Sequence, residues 1–175
     1  MTLGSRTANV NDVRMAGIAL GANLGEREDT LDAAVEAISN LNGVEVVSRS
    51  AWYLTTPVDS SGPDYVNGVV LVKTMLQPEA LLEACLGIEK EFGRVRPAGV
   101  VNAPRTLDLD LLFYEGVEME TPALTLPHPR MEERLFVLVP LSDVLPDWCT
   151  LQGVPIGRRI EELRVMYPKD RVLRL

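Results

Sequence analysis

The order of apolar segments along the chain is the strongest constraint on its fold. Residues 15–20 form a short apolar run, which predicts a buried strand that leaves through a glycine turn beginning at Gly21. Apolar residues at helical spacing follow over residues 31–41. Residues 44–53 and 65–75 carry the apolar and β-branched pattern of two further strands. The first half of the chain is therefore predicted to run strand, helix, strand, strand.

A second helix and strand complete the pattern. Pro78 is a favoured first-turn residue, and apolar side chains recur at helical spacing from there until Gly93. Residues 105–113 then have the pattern of a strand. The order β-α-β-β-α-β is typical of a ferredoxin-like α+β fold, a single antiparallel sheet with helices packed on one face. The remainder is predicted to contain a proline-rich loop, a short helix and a terminal amphipathic helix, at residues 115–130, 131–145 and 156–167.

The length of 175 residues leaves room for one compact domain. Residues 1–14 lack periodicity and are predicted to be a flexible leader, so that residues 15–175 form the single domain. A formal net charge of −8 argues against nucleic acid and anionic membranes as partners. No apolar run approaches the ~18 residues of a spanning helix, and two cysteines are too few for a disulfide scaffold. We therefore expect a monomeric cytoplasmic protein that binds small molecules.

Two acidic residues stand out in the last predicted strand. Because side chains alternate along a strand, Asp108 and Asp110 project to one face while the intervening leucines project to the other. Their Cα atoms would be ~6.6 Å apart, close enough for both carboxylates to hold one Mg²⁺ site. The alternative is that both acids lie on the solvent face of an ordinary amphipathic strand.

Arginines precede these acids. Residues 94–107 contain Arg94, Arg96 and Arg105 and no acidic residue, although the chain as a whole is acidic. Guanidinium groups beside a metal-binding carboxylate pair are the groups that phosphoryl transfer requires. For each arginine taken alone, an exposed, solvated side chain is the favoured interpretation.

A polar residue within an apolar strand indicates a second candidate site. Asn67 must find hydrogen-bond partners there, and it could bind a planar heterocycle against which Tyr65 packs. Alternatively, Asn67 bonds a neighbouring loop backbone. The only histidine, His128, is a candidate for a phosphate or adenine contact. The chain contains neither GxxxxGK[ST] nor GxGxxG, so a nucleotide would bind without the usual phosphate loops.

Several of these residues belong to recognisable motifs. GANLG occurs at residues 21–25, SAWYLTTP at 50–57, PDYVN at 63–67 and PRTLDLD at 104–110. With Glu89, the segment GRVR at 93–96, Pro127-His128, Arg134 and Phe136, the chain resembles the 6-hydroxymethyl-7,8-dihydropterin pyrophosphokinases of folate biosynthesis over roughly residues 16–148.

This resemblance implies transfer of a pyrophosphoryl group from ATP to the pterin hydroxymethyl group, with two Mg²⁺ ions bound and AMP released. It implies that both metals bind to Asp108 and Asp110 and that the catalytic residues are Arg94, Arg96, Arg105, Asp108 and Asp110. The implied pterin-binding residues are Thr55, Val58, Tyr65, Asn67 and Phe136. The implied ATP-binding residues are Glu89, Leu111, Thr125, His128 and Arg134. Loops 55–64 and 94–104 are expected to be mobile without ligands and to close over the site.

The chain departs from the family pattern in places. Val101-Asn102-Ala103 stands where many members carry Arg-Trp-Gly, and Leu86, Ala123 and Pro129 stand where some members have polar or aromatic ATP contacts. Two alternative functions follow from other classes: a non-catalytic ligand-binding module on the same fold, and a two-metal nucleotidyltransferase that would release pyrophosphate instead of AMP.

Overall fold

The computed structural model of the chain describes residues 12–56, 63–93 and 107–175. The described elements, in chain order, are β1 (Arg14–Ala22), α1 (Arg27–Ser39), β2 (Val44–Arg49), β3 (Tyr53–Thr55), β4 (Tyr65–Thr74), α2 (Pro78–Gly93), β5 (Asp108–Tyr114), β6 (Met119–Glu120), β7 (Thr125–Leu126), a 3-10 turn (Met131–Glu133), α3 (Leu135–Val144), α4 (Ile156–Met166) and β8 (Val172–Arg174). In the described part of the chain, no helix is long and apolar enough to cross a membrane.

The main sheet is antiparallel and has the order β5-β1-β4-β3-β8, with β2 also paired to β4. The two central strands, β1 and β4, are rich in small and β-branched residues and are buried along most of their length. Crossing helices connect strands that are not neighbours, as the β-α-β-β-α-β order predicted. The predicted ferredoxin-like α+β fold is confirmed.

The two helices of the predicted β-α-β-β-α-β order, α1 and α2, pack on one face of the sheet as expected, and the later helices α3 and α4 lie on the opposite side, which the sequence did not predict. The first face packs against α1 and α2 through residues such as Leu31, Ile38 and Leu81. The second face packs against α3, and α4 packs on α3 in turn; Leu138 and Leu163 are fully buried in this layer. Because α3 is apolar almost all round, it needs partners on more than one side and lies between the sheet and α4.

The single strand predicted over residues 44–53 is two strands. β2 ends at Arg49, and Ser50 exchanges hydrogen bonds with Val69: its amide donates to the Val69 oxygen, and its hydroxyl accepts from the Val69 amide, both at 2.9 Å. The Trp52 side chain then points into the core between the first face and helices α1 and α2, which we call the first core. Its ring lies directly over Gly68. The chain resumes pairing with β4 only at Tyr53.

Two short elements were not predicted. The segment expected to be a proline-rich loop contains the hairpin of β6 and β7. The C-terminal segment adds β8 to the sheet beside β3, where Val172 pairs with Thr55. β1 begins at Arg14, and the greater part of the predicted leader lies outside the described residues.

Candidate active site on the second sheet face

Asp108 and Asp110 lie on β5, an edge strand of the main sheet. Leu109 and Leu111 between and beside them are buried in the first core, against α1 and α2. The two carboxylates therefore project from the opposite face, as the alternation predicted. Asp110 is exposed and Asp108 is half-buried, because α3 and α4 cover another part of that face.

The outer edge of β5 is hydrogen-bonded to a side chain of α2. The Leu109 amide, which lies between the two acids in the chain, donates to the Glu89 Oε1 atom at 2.7 Å. A carboxylate is a strong acceptor for such an edge N–H group. Nearby, burial raises the pKa of the Cys85 thiol to about 12, with further contributions from the charges of Glu89 and Asp110. Cys85 is accordingly protonated at neutral pH and contributes to core packing.

Replacing Glu89 by alanine is expected to destabilise the protein, because the Leu109 amide loses its partner at a half-buried position. The expected loss in the free energy of unfolding is about 1–3 kcal/mol. Chemical denaturation measures the loss, and Glu89→Gln is the control because its amide oxygen can still accept from Leu109. Equal stability of Glu89→Ala and wild type would show that this bond contributes nothing.

His128 lies beside the same strand. Its backbone amide donates to the Leu112 oxygen at 2.7 Å, and its Nδ1 atom accepts from the Arg130 amide at 3.1 Å. With Nδ1 as an acceptor, the neutral ring carries its proton on Nε2 and presents a hydrogen-bond donor. Burial lowers the pKa of His128; the Asp110 charge opposes this, whereas Arg134 and Arg130 reinforce it. His128, Asp110 and Arg134 are therefore close enough to interact.

The lowered pKa of His128 predicts a pH-dependent stability. In the unfolded chain the His128 side chain has its usual pKa of 6.5, whereas in the folded chain its pKa is lower. Because the unfolded state binds more protons in this range, the free energy of unfolding should fall as pH drops through 6.5. Melting temperatures between about pH 7.5 and about pH 5.5 should fall more in wild type than in His128→Gln. An equal fall in melting temperature between the two pH values for both proteins would contradict this prediction.

The second set of candidate residues surrounds Asn67. This side chain is 9% exposed, and its Nδ2 atom donates to the Thr55 hydroxyl at 2.6 Å. The bond therefore runs to a side chain on β3 instead of the loop backbone considered as the alternative. Thr55 is itself buried, and it lines a recess together with Phe136. Tyr65, half-buried, pairs with Thr55 across the two strands.

Arg134 connects the two sets of residues. Its guanidinium carbon lies 5.5 Å from the centre of the Phe136 ring, and its charge acts on His128. A guanidinium stacked on an aromatic ring keeps its hydrogen-bond donors available for an anion.

The sheet register joins the two sets directly. Gly21 on β1 pairs with Asn67 on one side and with Asp108 on the other, so these three residues form one row across the sheet. Their side-chain positions share a face, and the Cα atoms of Asn67 and Asp108 are about 10 Å apart at the usual strand spacing. The buried Asn67 amide and its Thr55 partner thus lie on the same sheet face as Asp108 and Asp110.

Comparison with known proteins shows the family of the chain. The family model described as 7,8-dihydro-6-hydroxymethylpterin-pyrophosphokinase (HPPK) matches residues 17–146. The chain belongs to this family. It is 44% identical over 133 residues to the 2-amino-4-hydroxy-6-hydroxymethyldihydropteridine pyrophosphokinase of Synechocystis, covering 76% of this chain and 67% of that one. It is 39% identical over 159 residues to the Pseudomonas aeruginosa protein of the same name, covering 90% and 94%.

Solved HPPK structures share the fold. The Plasmodium falciparum HPPK-DHPS A437G structure with STZ-DHP superposes with a TM-score of 0.69 at 14% identity, covering 91% of this chain and 47% of that one. The wild-type structure with SDX-DHP gives a TM-score of 0.70 at 12% identity, covering 90% and 46%. The chain thus spans about half the length of these solved chains. The membership in the HPPK family predicted from the motifs is confirmed.

Among the described site residues predicted from the resemblance, Thr55 and Tyr65 lie beside Asn67, and Asp110 lies on the same strand and face as Asp108. Thr125 is half-buried in β7, next to β5. Leu111 is 3% exposed and points into the first core, so only its backbone can approach a ligand on the second face. The positions that depart from the HPPK pattern, Leu86, Ala123 and Pro129, are all exposed. Four predicted site residues lie outside the described residues: Val58, Arg94, Arg96 and Arg105.

Gly21 lies within β1 and pairs on both sides, whereas the sequence interpretation placed it in a turn and not among the candidate site residues. A glycine at the end of an apolar strand can mark a close approach of another group, and that was the available signal. Of the two loops expected to be mobile, residues 57–62 of loop 55–64 and all of loop 94–104 lie outside the described residues.

Proposed function

We propose that this chain transfers a pyrophosphoryl group from ATP to 6-hydroxymethyl-7,8-dihydropterin in folate biosynthesis, and that AMP is the second product. Membership in the HPPK family supports this function. The structural observation that supports this function is the row of paired residues across three strands, in which Gly21 lies between Asn67 and Asp108. A heterocycle bound at Asn67 has its reactive arm within reach of groups bound at the carboxylates.

Asp108 and Asp110 would hold two Mg²⁺ ions. The donor set fits this ion, because Mg²⁺ takes few protein carboxylates and completes its octahedron with water and phosphate oxygens. Among the described residues, no group of three or more histidine, cysteine or acidic side chains forms a complete metal cage. When bound, the ions would align the phosphates of ATP and offset their charge.

The protein side chains orient the two substrates for an in-line displacement. The substrate hydroxyl oxygen forms a bond to the β-phosphorus while the bond from that phosphorus to the α,β-bridging oxygen breaks, and the hydroxyl proton is released. Such loose phosphoryl transfers need positioning more than a strong base. We propose that Arg94, Arg96 and Arg105 bind the phosphates.

The pterin and the nucleotide would occupy opposite ends of the row. We propose that Thr55, Val58, Tyr65, Asn67 and Phe136 bind the pterin, with the Asn67 amide selecting the polar atoms of the ring. We propose that Glu89, Leu111, Thr125, His128 and Arg134 lie along ATP. The Nε2 donor of His128 and the stacked guanidinium of Arg134 suit an anionic ligand.

A direct assay tests the function. Purified protein with ATP, Mg²⁺ and the hydroxymethyl dihydropterin should form AMP, and omission of either the pterin or Mg²⁺ should abolish it. Release of pyrophosphate instead of AMP would indicate a nucleotidyltransferase. Calorimetric titration with a non-hydrolysable ATP analogue distinguishes the enzyme from a non-catalytic ligand-binding module. The enzyme should bind the analogue only with Mg²⁺, whereas the module would bind its ligand without metal.

We also propose that residues 15–175 form one pyrophosphokinase domain and that the protein acts as a cytoplasmic monomer. Cys85 and Cys149 carry free thiols, which suits a reducing compartment. Light scattering after size-exclusion chromatography tests the monomer, since a mass near 19.3 kDa is expected.

A further inference from the structure

Gly21 lies at the centre of the row that joins the two halves of the site. β1 separates β4 from β5, and Gly21 is the β1 residue that pairs with both Asn67 and Asp108. Directly paired residues of antiparallel strands place their side chains on the same face. The surface between the Asn67 amide and the Asp108 carboxylate is therefore formed by a residue without a side chain.

Any side chain at position 21 would strike Asn67. A Cβ atom built on Gly21 would lie 2.6 Å from the Asn67 Oδ1 atom and 3.8 Å from the Cδ1 atom of Tyr65. The first distance is far shorter than van der Waals contact allows, whereas the second is an ordinary contact. Gly21 does not have a positive φ, so the backbone conformation alone does not require glycine there.

Asn67 cannot easily move away from such a contact. Its Nδ2 atom is already bound to the Thr55 hydroxyl at 2.6 Å, and the residue is 9% exposed. Rotating the amide away from position 21 would break that bond inside the protein. Losing a buried hydrogen bond costs more than losing one at the surface, because water does not replace the partner.

We propose that Gly21 is a positioning residue for the pterin. Its bare Cα lets the Asn67 amide keep the orientation in which it binds the ring, and it leaves the surface between Asn67 and Asp108 open for the reactive arm. This inference rests on the proposed function, since it assigns the pterin to Asn67.

The test is Gly21→Ala, with pterin and nucleotide affinities measured separately by calorimetry. We expect the dissociation constant of the hydroxymethyl dihydropterin to rise at least about tenfold in the presence of Mg²⁺ and a non-hydrolysable ATP analogue. The dissociation constant of the Mg²⁺-bound analogue alone should change less than about twofold. A purely structural role would weaken both ligands together.

Gly17→Ala is the matched control. Gly17 lies on β1 with its Cβ position on the same face, and a Cβ atom there would strike the ring of Phe113. The two variants therefore distort the same strand, but only the one at Gly21 reaches Asn67. Equal loss of pterin affinity in both variants would overturn the proposal, as would wild-type pterin affinity in Gly21→Ala.

A double-mutant cycle with Asn67→Ala covers the case in which Gly21→Ala folds poorly. Truncating Asn67 removes the atom that the new Cβ atom strikes, so adding Gly21→Ala to Asn67→Ala should change the melting temperature little. If Gly21→Ala destabilises both backgrounds equally, the contact with Asn67 is not the cause and the proposal is wrong. This cycle tests the contact between position 21 and Asn67 without requiring activity, whereas absence of AMP formation by the wild type would refute the proposed function and leave that contact unaffected.

Discussion

Asp110→Asn is expected to lower kcat about a thousandfold or more while leaving the fold intact. Asp110 is exposed on the second face of β5, so the neutral amide can replace the carboxylate without a packing cost. Under the proposed function the substitution removes a ligand charge from the phosphate-binding centre, where such interactions contribute several kcal/mol to the transition state. Initial rates of AMP formation at saturating ATP and pterin measure the effect.

The matched control is Asp147→Asn, because Asp147 is also an exposed aspartate but lies in the turn between α3 and α4. It should keep the wild-type rate. Asp108→Asn should reproduce the loss seen for Asp110→Asn, since both carboxylates project from one face of the strand. Turnover within tenfold of wild type in either β5 variant, with melting curves unchanged, would exclude the metal role of that residue.

Asn67→Ala is expected to weaken pterin binding by about 10- to 100-fold. The amide offers a planar pair of donor and acceptor groups, and its Nδ2 atom is held by the Thr55 hydroxyl inside the protein. A site that binds a ring through buried hydrogen bonds loses affinity steeply when one partner is removed. Calorimetric titration with the pterin in the presence of an ATP analogue and Mg²⁺ provides the measurement.

Nucleotide affinity serves as the internal reference for this variant, and Asn40→Ala is the external control. Asn40 is exposed at the end of α1, far along the chain from the pocket residues. Both the control variant and the nucleotide affinity of Asn67→Ala should match wild type. An unchanged pterin affinity in Asn67→Ala would place the heterocycle elsewhere.

The strands and helices of the first core could be predicted because their patterns are local. The alternation around Leu109 follows from the geometry of any strand, and this is why Asp108 and Asp110 were correctly placed on one face. The spacing of Leu81, Cys85 and Ile88 similarly predicted α2.

The second face could not be predicted in the same way. α3 is apolar almost all round, so its sequence does not show which side faces the sheet, and its place between the sheet and α4 depends on tertiary packing. β8 is three residues long, and its strand conformation depends on pairing with Thr55 and its neighbours.

The adjacency of Asn67 and Asp108 in the sheet also depends on tertiary structure. Asn67 and Asp108 are far apart in the chain, and only the register of two strand pairs places Gly21 between them. Local patterns do not determine such a register without knowledge of all three strands. The motifs identified the residues through a family resemblance, and the structure supplied their adjacency.

The bonds on the outer side of β5 have a consequence for association between molecules. An edge strand with unpaired amide and carbonyl groups is a template on which another chain can add a strand. Here the Glu89 carboxylate accepts a hydrogen bond from the Leu109 amide, and the His128 amide donates one to the Leu112 oxygen. Side-chain and loop groups next to the candidate nucleotide site thus also close this edge, and their loss would favour aggregation through β5.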